Sequence, residues 1–439
     1  MTQSAPANPS SAHVPARASA PDSWYHADAA RPFAPTLPWQ GDGRADVVVI
    51  GAGFTGASAA LELARTGRDV VLLEAGVVGA GASGRNGGLV CSGWRHDQAW
   101  LEARLGPEDA RALWRFSEAA KQHLADVTAR HGIEADRATG LVYAAHRPAL
   151  MAALDADAAL LQARYDYQPL VRLDREACAA ALGTGVYHGG WRDDGAGRIQ
   201  PLKLLHGLAG AAVQAGARLH EGSRAVAVGQ DRTVTVVGGG TIRADQVLLC
   251  GDGYLEGVDA PVERRVMPIG SFVVATEPLD PALGILAGTA GAMDTRFVVN
   301  YFQRTADGRL VFGGGEKYTP SWPDDIGAFV RRNLARVFPG LAQVRLTHAW
   351  GGALGITPTR LPLVRTIRPG VLVAAGWSGQ GVLLAPYAGT MLARALLGEA
   401  SGLDLLSRLP VPPFPGGRLL RWPLLTAAMS YYALRDKLP

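Results

Sequence analysis

The sequence predicts an α/β protein in which a parallel-sheet domain is interleaved with an α+β domain built on an antiparallel sheet. Three observations predict it. Ala45 to Glu74 reads as strand, glycine turn, helix, strand; a second strand, glycine turn and helix recurs from Gly370 to Leu397; and the intervening chain carries alternating stretches without any nucleotide motif.

Asp46 to Ile50 is a short β-branched run of the kind buried on both faces of a parallel sheet. Gly51, Gly53 and Gly56 then complete G-x-G-x-x-G, with Phe54 and Thr55 at the start of the helix. The first glycine allows the tight turn, the second lets backbone approach a pyrophosphate, and the third lets helix and strand pack closely. Phosphates would sit on the helix N-terminus. The helix runs from about Thr55 to Thr66, Gly67 stops it, and Asp69 to Leu73 is the second strand. Glu74 follows, 18 residues beyond Gly56, where a carboxylate accepts ribose hydroxyls and repels a 2′-phosphate. Strand, turn, helix, strand and acid in register make a Rossmann-like dinucleotide site.

At 439 residues the chain is long enough for two domains. A hydrophobic content of 48% with 19% charged residues indicates a globular protein, and a net charge of +4 without any block of like charge argues against nucleic acid as a partner. Cys91, Cys178 and Cys250 are isolated, which fits neither a disulfide framework nor a zinc site and suits a reducing compartment, so a cytoplasmic location is expected. No run approaches the roughly 18 apolar residues that span a bilayer. No metal is expected, and the oligomeric state is open.

In chain order, residues 1–22 read as a disordered tail without an apolar leader segment. Ser23 to Gln40 is an extended lead-in packing Trp24, Tyr25, Phe33 and Trp39 on the body. Gly79 to Gly88, with Ser83, Arg85 and Asn86, is a loop made for close approach to a ligand. Ala99 to His131 has helical periodicity, Gly140 to Ala144 is a strand, and Pro148 to Tyr165 is a helix. Gln200-Pro201 opens a helix to Ala215, followed by strands at 218–220 and 225–228, a hairpin at 233–243 and a buried strand at 246–250. Strands at 264–276 and 297–312, the latter turning at Ala306-Asp307-Gly308, and a covering helix at 324–337 complete the second domain. The last strand, Gly370 to Ala375, runs into Gly376-Trp377-Ser378-Gly379-Gln380-Gly381 and a helix from about Pro386 to Leu397. The dinucleotide-binding domain therefore comprises 23–95, 191–260 and 349–410, the substrate domain 96–190 and 261–348, and a helical tail 411–439. Two glycine sites far apart in sequence suggest one large cofactor held between them.

These residues resemble the FAD-dependent amine and amino-acid oxidases of the D-amino-acid oxidase and sarcosine oxidase type, nearest to the gamma-glutamylputrescine oxidase branch. The matching pieces are VVVIGAGFTG at 47–56, GASGRNGG at 81–88, RLVFGGG at 309–315, TPTRLPLV at 357–364 and GWSGQGV at 376–382, with PFPGG at 413–417 and YYALRD at 431–436 as a branch-level tail. The resemblance implies FAD in a domain of the GR2 type and oxidation of a C–N bond in a small-molecule amine, with O2 or another electron acceptor. Carried over by position, Gly51, Gly53, Phe54, Thr55 and Gly56 would cradle the pyrophosphate and Glu74 the adenosine ribose. Ser83, Arg85, Asn86 and Gly87 would approach pyrophosphate and isoalloxazine, Ala225 or Val226 the adenine, and Gly376, Ser378, Gly379 and Gly381 the flavin edge where reduction creates an anion. One departure stands out. Relatives of the sarcosine oxidase type carry a lysine near the flavin that promotes reaction with oxygen; here Val311 takes that place, which argues against fast use of O2 unless Lys203 or Lys317 reaches the site.

Amine oxidation needs positioning more than a strong base, because solvent can take the ammonium proton before hydride leaves the adjacent carbon. Tyr301 and Arg360 are the candidates, the arginine suited to a substrate carboxylate such as a gamma-glutamyl group. His96 and His188 read as structural. Two other readings stay open: a dehydrogenase feeding a quinone or protein, favoured by Val311 and by the amphipathic face of Leu424, Ala427, Tyr431 and Leu434, and a flavin-binding redox sensor without turnover.

Overall fold

The computed structural model describes residues 21–319, 321–399, 401–416, 422–424 and 426–427. The expected disordered tail lies outside them except for Pro21 and Asp22, as does most of the expected C-terminal helix. Two sheets carry the chain. The first has eight strands, with the order Leu363–Arg368, Val371–Ala375, Gly240–Leu249, Gly43–Ile50, Val70–Leu73, Arg218–His220. From Val371–Ala375 to Arg218–His220 every neighbour is parallel; the edge strand Leu363–Arg368 runs the other way, and the remaining two strands, Thr233–Val236 on Gly240–Leu249 and Ala225–Val228 beside it, also pair antiparallel. Val48 lies between Val247 and Val71, and all three are fully buried. Helices on one face and a hairpin on the other leave these strands no water to face, hence their uninterrupted apolar sequence.

The second sheet has nine strands, ordered Leu346–Ile356, Met267–Pro278, Arg309–Lys317, Tyr301–Arg304, Gly291–Asp294, Ala138–Ala144, Gly190–Arg198 and Leu89–Val90, with Leu170–Leu173 also on Gly190–Arg198. It is antiparallel except where Gly291–Asp294 meets Ala138–Ala144 in parallel. That pair joins two segments remote in sequence, so no hairpin dictates its direction. Gly190–Arg198 and Leu346–Ile356 belong to this sheet, and the chain crosses back to the parallel sheet at the helix Pro201–Gln214. Alternation within a strand does not reveal which sheet will take it.

Local details correct the sequence reading in three places. The lead-in contains a short helix, Trp24–Asp28, capped by Ser23 and placing Tyr25 wholly inside. The helical stretch at 99–131 is two helices, Gln98–Leu105 and Pro107–Arg130, broken where Gly106 takes φ +88° and Pro107 starts afresh. The helix after the last strand begins at Gly381 and accommodates Pro386 within its second turn. The covering helix is as read: Asp325 caps Ile326–Val337, which buries Val330, Leu334 and Val337 against the second sheet, whereas the strands Gly291–Asp294, Leu346–Ile356 and Leu363–Arg368 and the helix Arg175–Leu182 have no counterpart in the sequence reading. The described part of the tail docks on the body, with Trp422 against Phe414 and Met267 and the Thr426 hydroxyl donating to the Tyr318 carbonyl at 3.0 Å. Among the described residues no helix is long and apolar enough to cross a membrane.

Candidate active site

The carboxyl ends of the parallel strands open into a cleft of about 870 Å³ lined by Gly51, Gly53, Glu74, Ser83, Ala225 and Asp252 among others, the place where such sheets bind ligands. Gly51 has φ +101°, and a Cβ there would lie 2.9 Å from the Cys250 carbonyl, so the turn admits glycine alone. A Cβ on Gly56 would overlap the Gly51 carbonyl, which is the close helix–turn approach expected of the third glycine. At Gly53 a Cβ would meet only Ser83, leaving the helix N-terminus open toward the cleft. There the Ser83 hydroxyl accepts the Phe54 N–H at 3.0 Å, where an anionic ligand would find that donor. Thr55 is buried, its carbonyl pressed by Gly389 of the last helix.

Glu74 accepts the N–H groups of Ala52 at 3.1 Å and Gly76 at 3.0 Å. Burial raises its carboxyl above the usual range against these bonds, and Glu221 adds to the rise. It faces the cleft as a fixed acceptor. An open helix N-terminus, a glycine floor and a carboxylate at the end of the second strand fit the pyrophosphate and ribose of FAD. Ala225 lines this cleft; Val226 is outside the lining, as alternation along Ala225–Val228 requires.

A second cavity, of about 1050 Å³, meets the first at Ala82. It is lined by Arg85, Asn86, Gly87, Tyr301, Arg360, Ser378 and Gly379 of the expected set. Arg85 is 8% exposed and donates to the carbonyls of Ala80 at 2.6 Å and Gly351 at 2.8 Å, while its own carbonyl accepts from Trp350. It thereby pins the glycine loop to the second sheet, on the inner-cavity side of the pyrophosphate cleft. Asn86 shapes the same loop, donating to Ala82 and Ser83 carbonyls and accepting the Gly88 N–H. The Tyr301 hydroxyl lies 3.1 Å from the Ser271 hydroxyl, and burial pushes it up to about 12. Cys91 also lines the cavity; burial pushes its thiol up to about 12, so it stays a thiol.

Ser378, at φ +51°, donates its N–H to the Gly355 carbonyl at 3.0 Å. Gly376 and Gly381 do not line the cavity. Gly376 serves the turn instead: its N–H reaches Asp252 at 2.6 Å, and the other Asp252 oxygen accepts the Gly355 N–H at 2.7 Å. Neither cavity is lined by a lysine. Lys203 is paired with Asp28 and Asp136, Lys317 lies over the Phe329 ring, and Val311 is buried in the core between the domains. His96 bonds the Thr359 carbonyl and stacks on Trp100, as a structural histidine does. The sequence reading missed Asp252, Ser271, Glu316 and Arg95. Only Asp252 carried a signal, lying between two glycines at the end of a buried strand.

Comparison with known proteins bears on the cofactor. Residues 46–395 match the DAO family, described as FAD dependent oxidoreductase. The chain is 43% identical over 418 residues to a probable oxidoreductase OrdL of Rhizobium meliloti, covering 94% of this chain and 97% of that one. It is 34% identical over 419 residues to the gamma-glutamylputrescine oxidoreductase of Escherichia coli, covering 94% and 98%. In fold it is similar to glycine oxidase from Geobacillus kaustophilus, with TM-score 0.69 at 22% identity over 84% of this chain and 99% of that one. It is also similar to L-proline dehydrogenase from P. horikoshii, with TM-score 0.70 at 19% identity over 85% and 98%. With the glycine cleft, Glu74 and the joined second cavity arranged to receive the cofactor, the chain belongs to the DAO family of FAD-dependent oxidoreductases.

Proposed function

We propose that the protein oxidises the C–N bond of an amine that resembles gamma-glutamylputrescine. The observation that carries this reading is the second cavity, joined to the dinucleotide cleft at Ala82 and holding Tyr301, in a chain 34% identical to a gamma-glutamylputrescine oxidoreductase. The glycine turn, Glu74 and the 81–88 loop would hold FAD, which would supply a two-electron acceptor for hydride. The amine sheds a proton from nitrogen and a hydride from the adjacent carbon; the resulting imine takes up water to give an aldehyde or keto product and the released amine or ammonia.

The residues of the cavity position and exclude water. Tyr301 carries its proton at neutral pH, as an ordinary phenol does and burial only reinforces, so it orients substrate as a hydrogen-bonding group instead of acting as a base. The Ser378 and Gly379 turn presents backbone at the same cavity. Electrons then pass to O2, giving H2O2. The lack of a lysine in either cavity favours a second reading, in which a quinone or protein accepts them.

The test is the visible spectrum of the holoprotein mixed anaerobically with gamma-glutamylputrescine, putrescine, sarcosine, glycine and D-amino acids, then opened to air. Bleaching by gamma-glutamylputrescine is expected. Recovery within seconds in air identifies an oxidase, and recovery only with an added quinone identifies a dehydrogenase. A flavin that no amine bleaches leaves the redox-sensor reading in place.

A further inference from the structure

The inner cavity opens into an outer one of about 1390 Å³, and the two share Arg95, Met293, Phe297, Val299 and Gln380. Arg95 is the only charged residue of this shared set. Its side chain makes no hydrogen bond or ion pair with any described residue, although burial pulls its guanidinium below the usual value and Arg360 adds repulsion that Glu316 only partly offsets. A half-buried guanidinium that faces two cavities and makes no hydrogen bond with a described residue has its donors available to a ligand in those cavities.

The nearby carboxylates other than Asp157 are already engaged. Glu316 accepts from the Tyr318 hydroxyl. Asp193 accepts from Ser92 and Tyr167, each at 2.5 Å, and from the Gly195 N–H at 2.9 Å. Asp294 pairs with Arg296 and accepts from Asn300. Asp97 caps the helix at Trp100. Asp157 faces the outer cavity with its carboxyl pushed up to about 6. At the junction itself, where Asp157 does not reach the shared lining, the unmatched group is a planar, five-donor fork, and its natural complement is a carboxylate held by two parallel bonds. Trp94, Trp114, Trp191 and Phe297 wall the outer cavity with surface suited to a methylene or amide spacer.

We propose that Arg95 binds the remote carboxylate of the substrate at the junction of the two cavities, so that the amine end extends inward toward Tyr301. The protein then selects amines that carry an anionic group several bonds from the oxidised nitrogen. This rests on the amine-oxidation reading above. Arg360, the sequence-based candidate for the carboxylate, lines the inner cavity alone, whereas Arg95 faces both.

The test uses ligands that cannot be oxidised at the terminal position. Holoprotein is titrated with gamma-glutamylbutylamide, which keeps the carboxylate and lacks the terminal amine, and with its α-carboxamide analogue, the same molecule with the carboxylate replaced by a neutral amide. Binding is read from the flavin difference spectrum. Arg95→Met is expected to weaken the first ligand at least thirtyfold and the second less than twofold, with Arg95→Lys recovering part of the loss. The melting temperature of the unliganded Met variant should be equal or higher, since an unpaired cation has gone; Arg95→Gln provides a second truncation. Equal weakening of both ligands overturns the proposal, as does loss of carboxylate binding in Arg360→Met with Arg95→Met unaffected. Wild-type protein that ignores gamma-glutamylbutylamide yet is bleached by amines without a carboxylate overturns the Arg95 assignment and leaves amine oxidation standing. Protein that binds it through Arg95 but is bleached by no amine does the reverse.

Discussion

A Cβ on Gly87 would lie 2.5 Å from the ring of Tyr301. The glycine loop that follows the second parallel strand and the strand Tyr301–Arg304 of the other sheet therefore touch backbone to ring. Gly313, across the sheet from Tyr301, leaves even less room, since a Cβ there would overlap the ring, so the ring is held between two glycines at the inner cavity.

This geometry separates the hydroxyl of Tyr301 from its ring. Tyr301→Phe removes one hydrogen bond to Ser271, which is worth about 1 kcal/mol of stability, and is expected to slow anaerobic flavin reduction about tenfold. Gly313→Ala keeps the hydroxyl but drives the ring out of place, and is expected to slow reduction about a hundredfold. Stopped-flow bleaching of the two variants checks the order; a Tyr301→Phe variant slower than Gly313→Ala would mean that the hydroxyl and not the ring position matters most.

Gly56→Ala tests the cofactor turn. The added methyl would overlap the Gly51 carbonyl, forcing the helix Phe54–Arg65 away from the turn. Purified variant should be colourless and require at least about a hundredfold more FAD for reconstitution, because the helix N-terminus no longer meets the phosphates. A yellow variant with wild-type FAD affinity would show that the helix relaxes without cost.

Asp252 joins three segments through the N–H groups of Gly355 and Gly376. Asp252→Ala leaves both donors without their partner and should cost about 2–4 kcal/mol. Urea unfolding measures the loss, and FAD content should fall with it, since the same turn presents Ser378 to the inner cavity.

Asp157 gives a pH dependence. Burial, with a smaller contribution from Asp97, raises its carboxyl to about 6 in the folded protein. Between its ordinary value near 4 and about 6 the folded state binds more protons than the unfolded state, so stability is fully present below about pH 4 and is lost as pH rises through about 6. The shift corresponds to an upper bound of about 3 kcal/mol, and partial solvent contact reduces it to about 1–2 kcal/mol. Asp157→Asn should therefore raise the melting temperature at pH 8 and leave it unchanged at pH 4; thermal melts across that range decide it.

Parts of this architecture are written locally. Gly51, Gly53 and Gly56 declare themselves because the steric demand of a tight turn and a close helix falls on a few neighbouring residues, and Glu74 follows because a four-residue strand has a definite length. The runs Val47–Ile50 and Val70–Leu73 announce burial on both faces by having no polar alternation. From these alone the α/β class and the dinucleotide cleft are legible, and the FAD family follows once GASGRNGG at 81–88 and GWSGQGV at 376–382 are added. The pairing of Gly291–Asp294 with Ala138–Ala144, the transfer of Gly190–Arg198 and Leu346–Ile356 to the second sheet, the clamp at Asp252 and the unmatched charge of Arg95 are not. Each depends on which distant segments come together and on which donors find partners when they do. Such proximity is set by packing across the whole chain, and periodicity within one segment carries no record of it.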